Sequence, residues 1–221
     1  MSTEKLMEIY QLLYERYGCQ HWWPGHSRFE IIVGAILTQN TNWGNVEKAI
    51  KNLKAAKGLT AEKLYEMDIS SLAEMIRPAG YYNIKAARLK NFLEWLFKEH
   101  DGDLNRLEDT DPETLRRELL QIKGVGPETA DSIVLYAFDK PVFVVDAYTC
   151  RIMGRHGLIE DGADYEQVRD LFQSYLDRSV KLFNEYHALL VRLGKEYCRP
   201  KAKCDGCPLE KLPHDVSPPI F

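Results

Sequence analysis

The chain has 221 residues, 45% of them hydrophobic, enough to bury a proper core as one domain or two small lobes. A net charge of −4 argues against a protein that coats nucleic acid indiscriminately, while leaving room for a locally basic footprint. No apolar stretch approaches the roughly 18 residues of a membrane span, and the N-terminus lacks a signal peptide's hydrophobic centre. Three of the five cysteines are bunched at Cys198, Cys204 and Cys207, which is not a disulfide framework. The expectation is a cytoplasmic protein, nucleoid-associated if prokaryotic, with reduced thiols available to a metal.

Residues 3–17 place Leu6, Ile9, Tyr10, Leu13 and Tyr17 at three- and four-residue spacing, which makes one apolar helical stripe. Further helices are expected near 28–38, 44–56, 60–67, 70–77 and 83–99, then near 112–121, 127–138, 146–155, 164–177 and 180–197. Thr60, Ser70 and Asp111 fit as N-caps, and Glu113 and Glu128 sit where first-turn acids are favoured. No alternating run is long enough for a strand. There is no internal repeat, and a Pro-rich stretch at 213–219 reads as irregular. The expected fold class is all-α. Lys85, Arg88 and Lys90 form one basic cluster, and Arg192, Lys195, Arg199, Lys201 and Lys203 another; each reads as a solvated face or as a nucleic-acid contact.

The densest signal is Leu120-Gln-Ile-Lys-Gly-Val-Gly-Pro-Glu-Thr-Ala-Asp131, followed by an apolar run that ends in Asp146. It reads as helix, tight turn and helix, then a buried segment delivering one carboxylate. Glycines at 124 and 126 would let a phosphate approach the backbone, and Pro127 suits the first turn of the next helix. Lys123, Gly124, Val125 and Gly126 would then bring unpaired N–H groups and the positive end of a helix dipole to one spot. An ordinary helix–helix turn is the alternative for Gly-x-Gly alone.

From Gly124 to Asp146 and Arg151 the sequence resembles the helix-hairpin-helix, Gly/Pro-rich, Asp motif of the endonuclease III superfamily of DNA repair glycosylases. Phe29-Glu-Ile-Ile-Val-Gly-Ala-Ile-Leu-Thr-Gln-Asn-Thr-Asn42 resembles the family's first core helix and following loop, and Gly80-Tyr-Tyr-Asn-Ile-Lys-Ala86 its second DNA-facing turn. The cysteines near Cys198 resemble its cluster loop. The resemblance covers about residues 20 to 210. It implies two helical lobes with a DNA cleft between them: a central lobe at 21–134, and a second lobe combining 1–20 with 135–221.

The resemblance assigns catalysis to Asp146, which follows Pro141-Val-Phe-Val-Val145. Cleaving an N-glycosidic bond develops positive charge on the sugar, and a fixed carboxylate stabilises it or activates a water. Asp146 also suits the N-cap of a helix beginning at Ala147, and both roles are compatible. Two positions after Gly126, bifunctional family members carry a lysine that attacks the sugar and cuts the strand. This chain has Glu128 there, which cannot form a Schiff base. A monofunctional glycosylase is expected, with Lys123 the residue to suspect if lyase activity is found.

A glycosylase must extrude its target nucleotide and recognise it in a pocket. Gln39 and Asn40 match the family's inserted wedge, with a buried amide tying the turn as the alternative for Gln39. Tyr81, Tyr82 and Asn83 match its second insertion loop. Trp22 or Trp23, together with Pro24 and Trp43, resemble the pocket of the 3-methyladenine DNA glycosylase branch. An electron-rich indole face attracts a cationic alkylated base more than a neutral one. The three tryptophans are alternatively core residues.

Iron–sulfur members of the family carry Cys-x6-Cys-x2-Cys-x5-Cys; here Cys198-x5-Cys204-x2-Cys207 gives three, and the fourth position falls at Pro213. Three readings stay open: a [4Fe–4S] cluster completed by His214 or Cys19, a Cys3His zinc site using His214, or no metal. The expected partner is double-stranded DNA containing a damaged base, bound by a monomer. Removal of uracil or of a mismatched adenine or thymine is the second enzymatic reading, and a non-catalytic DNA-damage-binding module the third.

Overall fold

The computed structural model describes residues 3–216, and they are all-helical, with no strand among them. The helices are α1 (Thr3–Tyr17), α2 (Arg28–Thr38), α3 (Trp43–Ala55), α4 (Ala61–Glu66), α5 (Ile69–Met75), α6 (Tyr82–His100), α7 (Pro112–Leu120), α8 (Pro127–Ser132), α9 (Ala147–Arg155), α10 (Tyr165–Tyr175) and α11 (Val180–Glu196). Residues 217–219 of the Pro-rich stretch lie outside the described residues. The contacts divide the chain into two compact units. One is Trp23–Lys140; the other combines the residues up to Trp22 with those from Pro141 onward.

In the Trp23–Lys140 unit the centre is α2, whose sequence is apolar almost all round and whose residues Phe29 to Leu37 are buried except Ile31. Its one buried acid, Glu30, is paired with Lys54 at 2.7 Å. Helices α3 and α6 pack on α2, and the α7–α8 hairpin closes the unit. Arg116 on α7 and Asp131 on α8 join across that hairpin at 2.6 Å, with 8% and 0% of their surfaces exposed. The second hairpin helix does not run on regularly to 138: after Ser132 the chain forms a π-helical turn over Ile133–Ala137.

Caps explain most helix starts. Thr60 and Asp111 accept first-turn amides of α4 and α7, as their sequence positions indicate. Ser70 does not cap. The carboxylate of Asp68, two residues earlier, accepts the Ser71 N–H and begins α5, and the Ser70 hydroxyl donates to it.

The Lys85–Lys90 cluster is neither a solvated face nor a basic patch. Lys85 is 1% exposed and donates to Ala79 O at 2.7 Å; burial, then nearby Arg88, lowers its ammonium to about 8. Lys90 Nζ donates to Leu64 O and Tyr65 O at 2.7 Å each and also to Met67 O, so it caps the carbonyl end of α4. Their charges are spent on main-chain carbonyls.

The other unit is built on α11, which packs against α1 and α9. Gly194 makes the α9 contact possible, since a Cβ there would stand 2.3 Å from the Tyr148 ring. Phe143, Phe172, Phe183 and Tyr186 form its aromatic centre, with Phe143 stacked on Phe172 at 3.8 Å.

Candidate functional site

The hairpin between α7 and α8 is held from behind. Asn91 Nδ2 donates to Lys123 O at 2.8 Å, and Gln39 Nε2 donates to Gly124 O at 3.1 Å and Thr129 Oγ1 at 2.8 Å. Arg88 Nη1 in turn donates to Gln39 Oε1. Gly124 has φ +96°, and a Cβ on it would meet Arg88 Cγ at 2.4 Å, so both backbone angle and space demand glycine. Gly126 differs. It has φ −96°, and a Cβ there would meet nothing within 4 Å. The fold itself does not need that glycine. Gly126 caps α8 with no side-chain acceptor for the first-turn amides. Lys123 is exposed beside it; Val125 is buried and its N–H donates to Ile122 O at 3.0 Å, so the expected unpaired amide is not found at that position.

Gln39 is thus bonded into the hairpin, while Asn40 is exposed with φ +53°. In the second turn Tyr81 also has positive φ, +46°, and is 68% exposed. Tyr82 is half-buried beneath the Arg77 guanidinium, and Asn83 is exposed.

The adjacent tryptophans part company. Trp23 meets Trp43 edge-on at 5.0 Å and stacks on Tyr136 at 4.9 Å. Both indoles touch α2 over Gly34, where a Cβ would lie 3.4 Å from Trp43 and 3.6 Å from Trp23. Pro24 is exposed beside them. Trp22 belongs to the other unit, with Lys195 Nζ 5.9 Å from its ring centroid. Tyr136 escaped sequence reasoning, since an apolar helical run gives no sign which residue stacks on an indole. It lies in the π-helical turn, a distortion common at functional sites.

Asp146 is half-buried at the start of α9. Its Oδ1 accepts the Thr149 N–H at 2.7 Å and the Thr149 hydroxyl at 2.9 Å, so it is the N-cap. The cap fixes the carboxylate, and the bonds to Thr149 use one oxygen only.

Cys198, Cys204 and Cys207 line one pocket, shared with Arg155, His156 and His214; Asp146 does not line it. Cys198 Sγ accepts from Arg155 Nη1 at 3.2 Å. The same guanidinium holds Arg199 O at 2.7 Å and Pro200 O at 2.8 Å. Arg155 O accepts the Asp215 N–H at 2.7 Å, and His156 Nδ1 lies 3.0 Å from Pro213 O. Cys19 stands elsewhere, donating to Glu185 at 3.1 Å. Among the described residues no three His, Cys, Asp or Glu side chains converge where they could hold an ion. A [4Fe–4S] cluster normally takes four thiolates, and this loop supplies three. The loop is pinned by Arg155 instead. Arg155→Ala is expected to lower the unfolding free energy by about 1–3 kcal/mol, because it removes a buried guanidinium and its bonds to Cys198 Sγ, Arg199 O and Pro200 O.

Residues 33–178 match the HhH-GPD superfamily base excision DNA repair protein family. The chain is 48% identical over 211 residues to the "Putative DNA repair glycosylase" of Methanocaldococcus jannaschii, covering 95% of this chain and 96% of that one. The 3-methyladenine DNA glycosylase of H. pylori, solved bound to 1,N6-ethenoadenine, is 29% identical with a TM-score of 0.76, covering 89% of this chain and 98% of that one. A non-covalent endonuclease III–DNA complex shares the fold, with a TM-score of 0.82 at 21% identity over 96% of this chain and 95% of that one.

Proposed function

The chain belongs to the HhH-GPD superfamily of base excision DNA repair proteins, a family of DNA glycosylases, and from that premise we propose that it is a monofunctional glycosylase removing alkylated purines such as 3-methyladenine. The observation that carries the substrate class is the Trp23–Trp43–Tyr136 arrangement, in which Trp23 meets the Trp43 indole edge-on at 5.0 Å and stacks on the Tyr136 phenol at 4.9 Å. A base made cationic by alkylation is attracted to such faces, and its weakened glycosidic bond needs little acid assistance. The H. pylori relative, by its name a 3-methyladenine enzyme, supports the same reading.

In this proposal the amides of Gly124 and Gly126, with Lys123, grip the DNA backbone. Asn40 and Tyr81, exposed in left-handed conformations, enter the duplex as the target nucleotide leaves it, and Gln39 braces the hairpin behind them. The Asp146 carboxylate stabilises the positive charge that develops on the deoxyribose or activates the attacking water. Glu128 leaves the chain without the family's lyase nucleophile, so the product is an intact abasic strand. The two units are read as the two lobes, in a monomer working on chromosomal DNA in the cytoplasm. No helix among the described residues is long and apolar enough to cross a membrane.

Trp43→Ala tests the substrate assignment. Release of 3-methyladenine from methylated duplex is expected to fall by about 30-fold or more, a loss of about 2 kcal/mol of stacking and cation–π attraction. A variant as fast as the wild type would remove the pocket from the proposal.

A further inference from the structure

The segment 141–146 has no regular secondary structure and belongs to no sheet, yet Val142, Phe143, Val144 and Val145 are each at most 1% exposed. Buried main-chain N–H and C=O groups require partners, which in a sheet a neighbouring strand supplies. Here side chains supply them. Phe143 N–H donates to Gln173 Oε1 at 3.0 Å, and Val145 N–H to the Tyr165 hydroxyl at 3.3 Å. His187 Nδ1 stands 2.9 Å from Val144 O. A carbonyl only accepts, so Nδ1 carries the proton in this contact. Burial favours the neutral ring, against the pull of the Asp146 charge. Gln173 and His187 are themselves buried, on α10 and α11 respectively.

The bonds end at Val145, the residue before Asp146, whose carboxylate is then fixed by Thr149 on the far side. Resting on the reading of Asp146 as the catalytic carboxylate, we propose that His187 and Gln173 are positioning residues for base release. They stand in for the missing neighbouring strand and set where the Asp146 carboxylate meets the deoxyribose. Asp146 sits at the end of a segment with no sheet to hold its register, so these two side chains fix it along the chain direction. The aromatic stack of Phe143 on Phe172 holds the same segment sideways.

The test is single-turnover base release from the methylated duplex, or from whichever of methylated, uracil-containing and mismatched duplexes the wild-type chain acts on. His187→Ala and Gln173→Met should each slow the chemical step by roughly 10- to 100-fold, the scale of a carboxylate displaced by about 1 Å. DNA affinity and reaction amplitude should stay within about threefold of wild type, since neither residue is placed at the DNA. His187→Asn, which returns an N–H near the Nδ1 position, and Gln173→Glu, which keeps the acceptor, should recover most of the rate. If the variants lose amplitude in proportion to folded protein while the rate constant holds, the residues merely support the fold and the proposal fails. It fails equally if His187→Asn is as slow as His187→Ala. Asp146→Asn, run alongside, separates the two levels. Full activity there removes the catalytic reading itself, whereas an inactive Asp146→Asn beside fully active His187 and Gln173 variants removes only the positioning.

Discussion

Replacing Asp146 by asparagine is expected to slow base release by about 1,000-fold or more while leaving fold and DNA binding intact. The substitution is unusually clean because of where the residue sits. Asp146 Oδ1 caps α9 by accepting the Thr149 N–H and hydroxyl. Asparagine keeps that oxygen and is as good an N-cap as aspartate. What it removes is the negative charge, which is the only property the proposed chemistry needs. Asp146→Ala would confound the two roles, since losing the cap alone costs about 1 kcal/mol. The measurement is single-turnover release with a parallel titration of damaged duplex. Release within about threefold of wild type, with the cap retained, would mean that the carboxylate is a cap and nothing more.

The second large effect is on stability. Asp131→Ala should destabilise the protein by about 3–5 kcal/mol, the cost of breaking a buried ion pair by removing one member. Asp131 is fully buried and Arg116 nearly so, joined at 2.6 Å between the two helices of the hairpin. Removing the carboxylate takes from the Arg116 guanidinium the acceptor it meets at 2.6 Å. The double change Arg116→Met with Asp131→Leu should recover most of the loss, because an apolar pair of similar size carries no desolvation penalty. Urea unfolding of the three variants checks this. A loss below about 1 kcal/mol for Asp131→Ala would show that water reaches the pair. The bridge joins α7 to α8, so under the proposed role of the hairpin the single variant should also weaken DNA binding, and the double variant should restore it.

The sequence disclosed the helices well where local chemistry decides them. Asp111 and Thr60 cap as expected, because an N-cap needs only a short acceptor and the next three amides. Ser70 misled for the same reason: a stronger acceptor, Asp68, stood two residues upstream. The π-helical turn at Ile133–Ala137 was not legible, since the apolar run Ile-Val-Leu-Tyr-Ala suits a regular helix equally well.

Charge was the least legible property. Lys85, Arg88 and Lys90 read as a surface cluster because sequence shows charges but not their acceptors, which are the main-chain carbonyls and the Gln39 amide oxygen. For the candidate site, the motif around Gly124 and the position of Asp146 were plain in one dimension. The choice between Trp22 and Trp23 was not, because neighbouring residues diverge at the point where the chain passes from one unit to the other. Tyr136, Gln173, His187 and Arg155 were passed over. Each acts through a partner distant in sequence or through a stacking contact, and no local pattern marks such a residue.

The central claim is that the chain frees a damaged base and leaves the strand whole. Its most direct measurement is incubation of the purified protein with end-labelled methylated, uracil-containing and mismatched duplexes, with borohydride present or absent, and identification of the freed base. The account predicts free 3-methyladenine from the methylated duplex, strand breaks only after alkali, and no trapped protein–DNA adduct. Binding without any freed base, or a covalent adduct after borohydride, would contradict it.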